Sequence, residues 1–190
     1  YSMVRAIRSI ERCDVALIVL DSSDGLVEQD KRIAGTVEKY GKGAIFLFNK
    51  WDLVEEPETV YKKYMSEFRD KLWFFQHAPV MTVSGLERKR VTKVFPLIDG
   101  VISERRKRIK TSELNELLRA VVSRSAPPSH KGKEVRLYYM TQVEKEPPEF
   151  VVFVNNPAGV KDSYLRYIEK NIREEFSFSG TPIRIFLKRR

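Results

Sequence analysis

Five consecutive apolar residues, Ala44-Ile45-Phe46-Leu47-Phe48, follow Gly43 and run into Asn49-Lys50-Trp51-Asp52. A run this short and apolar at every position reads as a strand buried on both faces. Such strands belong to parallel sheets covered by helices. This one stretch therefore commits the chain to an α/β fold. In open α/β sheets ligands sit outside the carboxyl ends of the strands, and here the chain turns polar at that end. Asn-Lys-x-Asp suits a guanine base. The Asp52 carboxylate has two acceptor oxygens for guanine N1–H and the exocyclic amine, an edge that adenine cannot present. The Lys50 stem lies over the base with its cation near the ring, and the Asn49 amide ties the loop together or reaches N7. The plain alternative is a polar turn after a core strand; the position at the strand's carboxyl end favours the site.

Two further strands frame this one. Val15 to Leu20 reads as a second buried strand, preceded by a helical stripe through Met3, Val4, Ile7 and Ile10 and broken by Asp21-Ser22-Ser23-Asp24-Gly25. Residues 28–40 read as a helix with acidic residues early, stopped by Gly41. Pro57 opens another helix through Tyr61, Tyr64, Met65, Phe68 and Leu72, whose aromatics read as core. Pro79 to Val83 is a third strand. Strands alternating with helices at this spacing make a parallel, βαβ-built sheet. The third strand ends in Ser84-Gly85-Leu86, on the same sheet edge as Asn49 to Asp52. A backbone N–H of that loop is placed to donate to guanine O6.

Beyond this the pattern changes. A helix from Val91 to about Lys110 ends in the basic run Glu104 to Lys110, and a domain boundary is expected near 110, dividing the chain into 1–110 and 111–190. Leu114, Leu117, Leu118, Val121 and Val122 form one helical stripe, ended by Pro127-Pro128. Alternating strands over 135–143 and 150–154, joined by 144–149, read as a hairpin. A helix over about 161–175 and a strand over 181–188 complete a small α+β domain with a three-stranded sheet.

The net charge of +9 is unevenly spread: residues 87–110 hold nine Lys and Arg against three Asp and Glu, and residues 111–190 hold 14 against 10. This surplus favours a polyanion such as RNA, with Arg105, Arg106, Lys107, Arg108, Lys188, Arg189 and Arg190 as its contacts. The plain alternative is a solvated basic helix face. The longest aliphatic run is too short to span a bilayer, so no membrane is expected as partner. One cysteine forms no internal disulfide, and two distant histidines give no metal cluster. An intracellular, cytoplasmic protein is the simplest expectation. The start carries no initiator Met and no apolar signal core, and reads as a fragment boundary.

The first part, with Asn49-Lys50-Trp51-Asp52 and the Ser84-Gly85-Leu86 loop, resembles the second half of a translation-factor-class GTPase domain. Gly85 stands where that class usually has Ala, which leaves the backbone donor but predicts a looser loop. Residues 21–30 resemble the post-switch region. Together with Tyr138-Tyr139-Met140-Thr141-Gln142, the stretch 147–155 and the stretch 178–184, the chain closely resembles the carboxyl-terminal part of the Der (EngA) family of bacterial tandem GTPases. The resemblance implies the following. The fold is a partial P-loop GTPase followed by a KH-like domain. The ligand is GTP or GDP, with Mg²⁺ in the intact protein, and the activity of the parent is GTP hydrolysis. The role is in assembly of the large ribosomal subunit, with that subunit or its rRNA as partner. One or more amino-terminal GTPase domains are expected to pack on the KH-like domain.

Departures from the pattern matter. No phosphate loop of the form G-x-x-x-x-G-K-S/T occurs. Asp21-Ser-Ser-Asp-Gly25 misses the Mg²⁺-associated Asp-x-x-Gly spacing by one. A circular permutation would carry the phosphate loop after Leu86, where a basic helix follows instead. The expectation is a chain without the amino-terminal half of its GTPase domain, inactive alone in hydrolysis and weak at best in nucleotide binding. The G-x-x-G loop with which KH folds clamp nucleotides is also absent, since no two of the nine glycines lie three apart. The competing reading is an RNA-binding or interaction module without nucleotide chemistry.

Overall fold

A computed structural model describes residues 2–190; Tyr1 and the Met3 side chain of the predicted stripe lie outside what it describes. The chain forms two compact units, one of residues up to 104 together with Ser179–Pro182, the other of Arg105–Phe178 with Ile183–Arg190.

The first unit runs α1 (Ser2–Arg12), β1 (Val15–Asp21), α2 (Glu28–Lys39), β2 (Gly43–Asn49), α3 (Pro57–Lys71), β3 (Val80–Thr82) and α4 (Val94–Arg106), the last turn of α4 passing into the second unit. The strands pair in parallel in the order β1-β2-β3, with Asp21 opposite Asn49 and Phe48 opposite Thr82. Residues 43–48 are all buried, because both faces of β2 are covered. On one face Phe46 and Phe48 pack with Ile18, Leu20, Val37, Phe68 and Phe75. Phe46 meets the Phe68 ring edge-on at 4.7 Å. On the other face Ile45 and Leu47 pack with Val83, Val94 and Val101. Burial of these side chains is the main stabilising term, about 2–3 kcal/mol for each large one. On that second face β1 stays uncovered, with Leu17 and Val19 exposed by 42% and 57%.

Local chemistry sets the helix ends. The Asp30 carboxylate accepts from the Val27 N–H at 3.1 Å at the start of α2, and Pro57 occupies the first turn of α3. Gly41, at φ 64°, ends α2 in the left-handed conformation. One part of this unit was not foreseen. Gly180, expected to lie between a helix and a strand of the second part, donates its N–H to His77 O at 2.9 Å, and its carbonyl accepts from Ala44 N–H at 2.8 Å.

The second unit holds α5 (Thr111–Arg124), β4 (Leu137–Lys145), β5 (Pro148–Val154), α6 (Asp162–Phe176) and β6 (Arg184–Arg189). Its sheet has the order β4-β5-β6, with β4 and β5 antiparallel and β5 and β6 parallel. Leu114, Leu118 and Val121 of α5 and Ile168 and Ile172 of α6 pack with Phe150, Val152 and Val154 of β5. The helix, strand, strand, helix, strand pattern is the expected one, with shifted edges. The hairpin turn is shorter because both strands extend into it. The last strand begins at Arg184 rather than Thr181, whose segment belongs to the other unit. The basic helix expected to reach Lys110 stops at Arg106, because Ile109 N–H bonds the Gln142 side chain instead of a helical carbonyl.

Candidate guanine-binding site

The parallel register brings Asp21, Asn49 and Thr82 to one edge of the first sheet, and the loops after them are sewn together by backbone bonds. Ser22 N–H donates to Asn49 O at 3.0 Å, Val83 N–H to Phe48 O at 2.8 Å and Trp51 N–H to Val83 O at 3.1 Å. Lys50 takes a left-handed conformation (φ 60°, ψ 34°), uncommon for a residue with a Cβ. It is followed by a 3-10 turn over Trp51–Leu53 that carries Asp52. Trp51 rests against Phe48, Tyr61 and Tyr64, and the Tyr64 hydroxyl donates to Ser22 O at 2.6 Å. The loops thus stand on an aromatic floor.

Each expected residue has a definite place. Asn49 Oδ1 accepts from Gly85 N–H at 3.0 Å, so the Asn49 amide ties the two loops. Ser84 is fully buried; its N–H and C=O pair with Lys89, and its Oγ accepts from Glu87 N–H. Leu86 is 85% exposed. Asp52 Oδ1 is buried and has no hydrogen-bond partner within the protein. A buried acceptor without a donor costs about 1–3 kcal/mol, a cost that a ligand N–H at this position would relieve. This acceptor therefore fits a base that presents N–H groups.

Asp21 was read from sequence as the start of a chain break and of the post-switch resemblance, not as a residue of the base site, and it joins the site. Its Oδ2 lies 2.5 Å from Lys50 Nζ, and its Oδ1 accepts from Ser23 N–H at 2.9 Å. The bond to Lys50 holds the Asp21 carboxyl below its usual range and pushes the Lys50 ammonium up. The available signal was positional: Asp21 closes β1 as Asn49 closes β2.

The basic residues singled out for RNA differ in exposure and in partners. Arg105 is buried at 3% exposure. Arg106 pairs with Glu146 at 3.0 Å, and Lys107 donates to Phe176 O at 2.7 Å and lies over the Phe178 ring. Arg108, Lys188, Arg189 and Arg190 are exposed, the last with its guanidinium 5.1 Å from the Tyr138 ring centre. Among the described residues there is no cluster of three or more potential metal ligands and no helix long and apolar enough to cross a membrane.

Residues 3–126 match the family model for the elongation factor Tu GTP binding domain, and residues 108–188 match the KH-domain-like carboxyl-terminal part of EngA bacterial GTPase enzymes. The chain is 47% identical over 188 residues to GTPase Der of Thermodesulfovibrio yellowstonii, covering 98% of this chain and 42% of that protein. It is 42% identical over 190 residues to GTPase Der of Desulforamulus reducens, covering all of this chain and 43% of that one. The chain thus spans less than half the length of these relatives. A crystal structure of Aquifex aeolicus Era bound to GDP.AlF4- is similar with a TM-score of 0.47 and 18% identity, over 99% of this chain and 69% of that one.

Proposed function

The chain belongs to the Der (EngA) family of GTPases, and from that premise we propose that it carries the base-reading half of a GTP-binding domain, joined to a KH-like domain over 111–190. The observation that carries the proposal is the buried, unpartnered Asp52 Oδ1 at the carboxyl edge of the sheet. In this reading Asp52 accepts from guanine N1–H and the 2-amine. The Lys50 stem covers the base, and Asn49 holds the Ser84-Gly85-Leu86 loop so that one of its backbone N–H groups meets O6. GTP hydrolysis to GDP and phosphate is an activity of a longer protein. Its other residues supply the phosphate loop and the surroundings of Mg²⁺, and the 190-residue chain alone does not turn GTP over. The exposed Leu17 and Val19 on β1 support this, since further chain of the same domain would bury them. The proposed partners are guanine nucleotide, preceding GTPase domain(s) of the longer protein, and RNA of the large ribosomal subunit. The net charge of +9 supports the RNA partner. The role is ribosome assembly, in the cytoplasm.

The test uses the longer protein with Asp52→Asn. The new amide faces guanine's 2-amine with a donor but suits the carbonyl of xanthine. Discrimination of this kind is on the order of 10⁴-fold where a polar site is left unpaired. The ratio of kcat/KM for GTP to that for xanthosine triphosphate should fall towards and past unity, with circular dichroism unchanged. Retained preference for GTP would remove Asp52 from the site.

A further inference from the structure

The edge of the second sheet formed by β4 carries chemistry that the guanine site does not use. Tyr139, Phe153 and Lys188 stand opposite one another across β4, β5 and β6. The Tyr139 and Phe153 rings stack at 4.2 Å with 13° between planes, while Tyr139 remains 37% exposed. A bulge between Leu137 and Tyr139 leaves Tyr138 without a partner on β5. Tyr138 is 42% exposed, with Arg190 against its ring. Beside it a groove of about 480 Å³ runs between α5 and β4, lined by Asn115, Arg119, Val122, Leu137, Tyr138 and Tyr139 among others, with no acidic side chain in its wall.

Two features narrow the occupant. The free edge of β4 is closed at Met140, whose N–H donates to Asn115 Oδ1 at 3.0 Å and whose carbonyl accepts from Asn115 Nδ2 at 3.2 Å. A peptide strand adding to this edge would have to displace that amide. The charge is positive: Arg119 lies in the groove, and Lys188, Arg189 and Arg190 end β6. Exposed ring faces beside cations match bases and phosphates of an unpaired strand. A duplex keeps its base faces stacked inside and offers only backbone and groove edges.

We propose that the α5–β4 groove with Tyr138 and Tyr139 is a stacking site for single-stranded RNA. This rests on the RNA reading above and makes it specific in strand state and place. One or two bases lie on the tyrosine faces, and Arg119, Lys188 and Arg190 take the adjoining phosphates. Recognition is tolerant of sequence, because every base has a face to stack.

The experiment measures fluorescence anisotropy of the full chain with a labelled uridine dodecamer and with an RNA duplex of equal length, from about 50 to 200 mM salt. The single strand should bind more tightly than the duplex. Tyr138→Ala and Tyr139→Ala should each weaken it about 5- to 150-fold, the range expected for one lost base stack, whereas Tyr139→Phe should keep wild-type affinity. Arg119→Gln and Arg190→Gln should each reduce the slope of log affinity against log salt by about 0.7. Oligonucleotide binding that ignores both tyrosine replacements overturns the site while leaving the RNA reading intact, and so does tighter binding of the duplex. Absence of binding to either RNA at the lowest salt overturns the RNA reading itself and leaves this face to a protein partner. Circular dichroism on each variant, whose changed side chains are exposed, separates lost contact from lost fold.

Discussion

Gln142 offers the sharpest quantitative test of how the second unit is held. The side chain is 2% exposed and makes three hydrogen bonds. Its Oε1 accepts from Ile109 N–H at 2.8 Å, and its Nε2 donates to Lys107 O at 2.9 Å and Glu144 O at 3.2 Å. It therefore does for residues 107–109 what a neighbouring strand would do. Gln142→Leu keeps the volume and removes every bond. It orphans a buried N–H at about 1–3 kcal/mol and two part-buried carbonyls, Lys107 O and Glu144 O, at a smaller cost each, offset by about 1 kcal/mol of apolar burial. The net loss is about 2–4 kcal/mol, a large share of the 5–15 kcal/mol typical of a domain. For a unit this size it lowers Tm by roughly 10–20 °C. Hydrogen exchange should show Ile109 among the amides that lose most protection, and calorimetry gives the shift in Tm. Gln142→Glu separates donor from acceptor. Its carboxylate still accepts from Ile109 but faces two carbonyls when ionised. Burial raises its folded pKa, so this variant should be most stable below the unfolded value of about 4.3 and lose stability as pH rises through the raised one. A Gln142→Leu protein within about 0.5 kcal/mol of wild type, with Ile109 exchange unchanged, would refute the reasoning.

Two glycines that look alike in sequence should respond in opposite directions to Ala. At Gly85 an added Cβ would sit 3.5 Å from Asn49 Oδ1, an ordinary contact, so Gly85→Ala should stabilise by about 0.4–1 kcal/mol through the unfolded chain. At Gly180 the Cβ would come within 2.5 Å of Val101 Cγ2 at φ +71°, so Gly180→Ala should lower Tm; thermal unfolding of both variants decides. Tyr164, whose hydroxyl donates to Ser125 O at 2.7 Å, has its pKa pushed up to about 12 by burial. Its contribution to stability is full below about pH 10 and is lost as pH rises towards 12, so urea midpoints should fall over that window and fall less in Tyr164→Phe.

Much of the architecture was legible because side-chain burial repeats along the chain. A run apolar at every position gave β2, alternation gave β4 and β5, and a stripe at three- and four-residue spacing gave α5. The elements carrying Asn49 to Asp52 and Ser84 to Leu86 followed from these, since parallel strands bring their carboxyl ends together. Turn chemistry gave Pro57 at the head of α3 and Gly41 behind α2.

Tertiary structure decided what depends on partners distant in the chain. Periodicity reports that a side chain is buried but not which donor or acceptor it meets. Asp21 and Lys50 are 29 positions apart and share one proton-rich contact only because β1 and β2 end level. Asn115 and Gln142 stand in for backbone that the sheet lacks, a role that neither their type nor their spacing announces. The basic run after Glu104 was expected to finish a helix, yet the helix ends at Arg106, Ile109 N–H bonds the Gln142 side chain, Arg106 pairs with Glu146 and Lys107 donates to Phe176 O. Gly180 was set by a close approach to Val101 and by bonds to Ala44 and His77. Local sequence determined which segments could be strands and helices; non-local hydrogen bonds determined where they stop and which charges are left facing solvent.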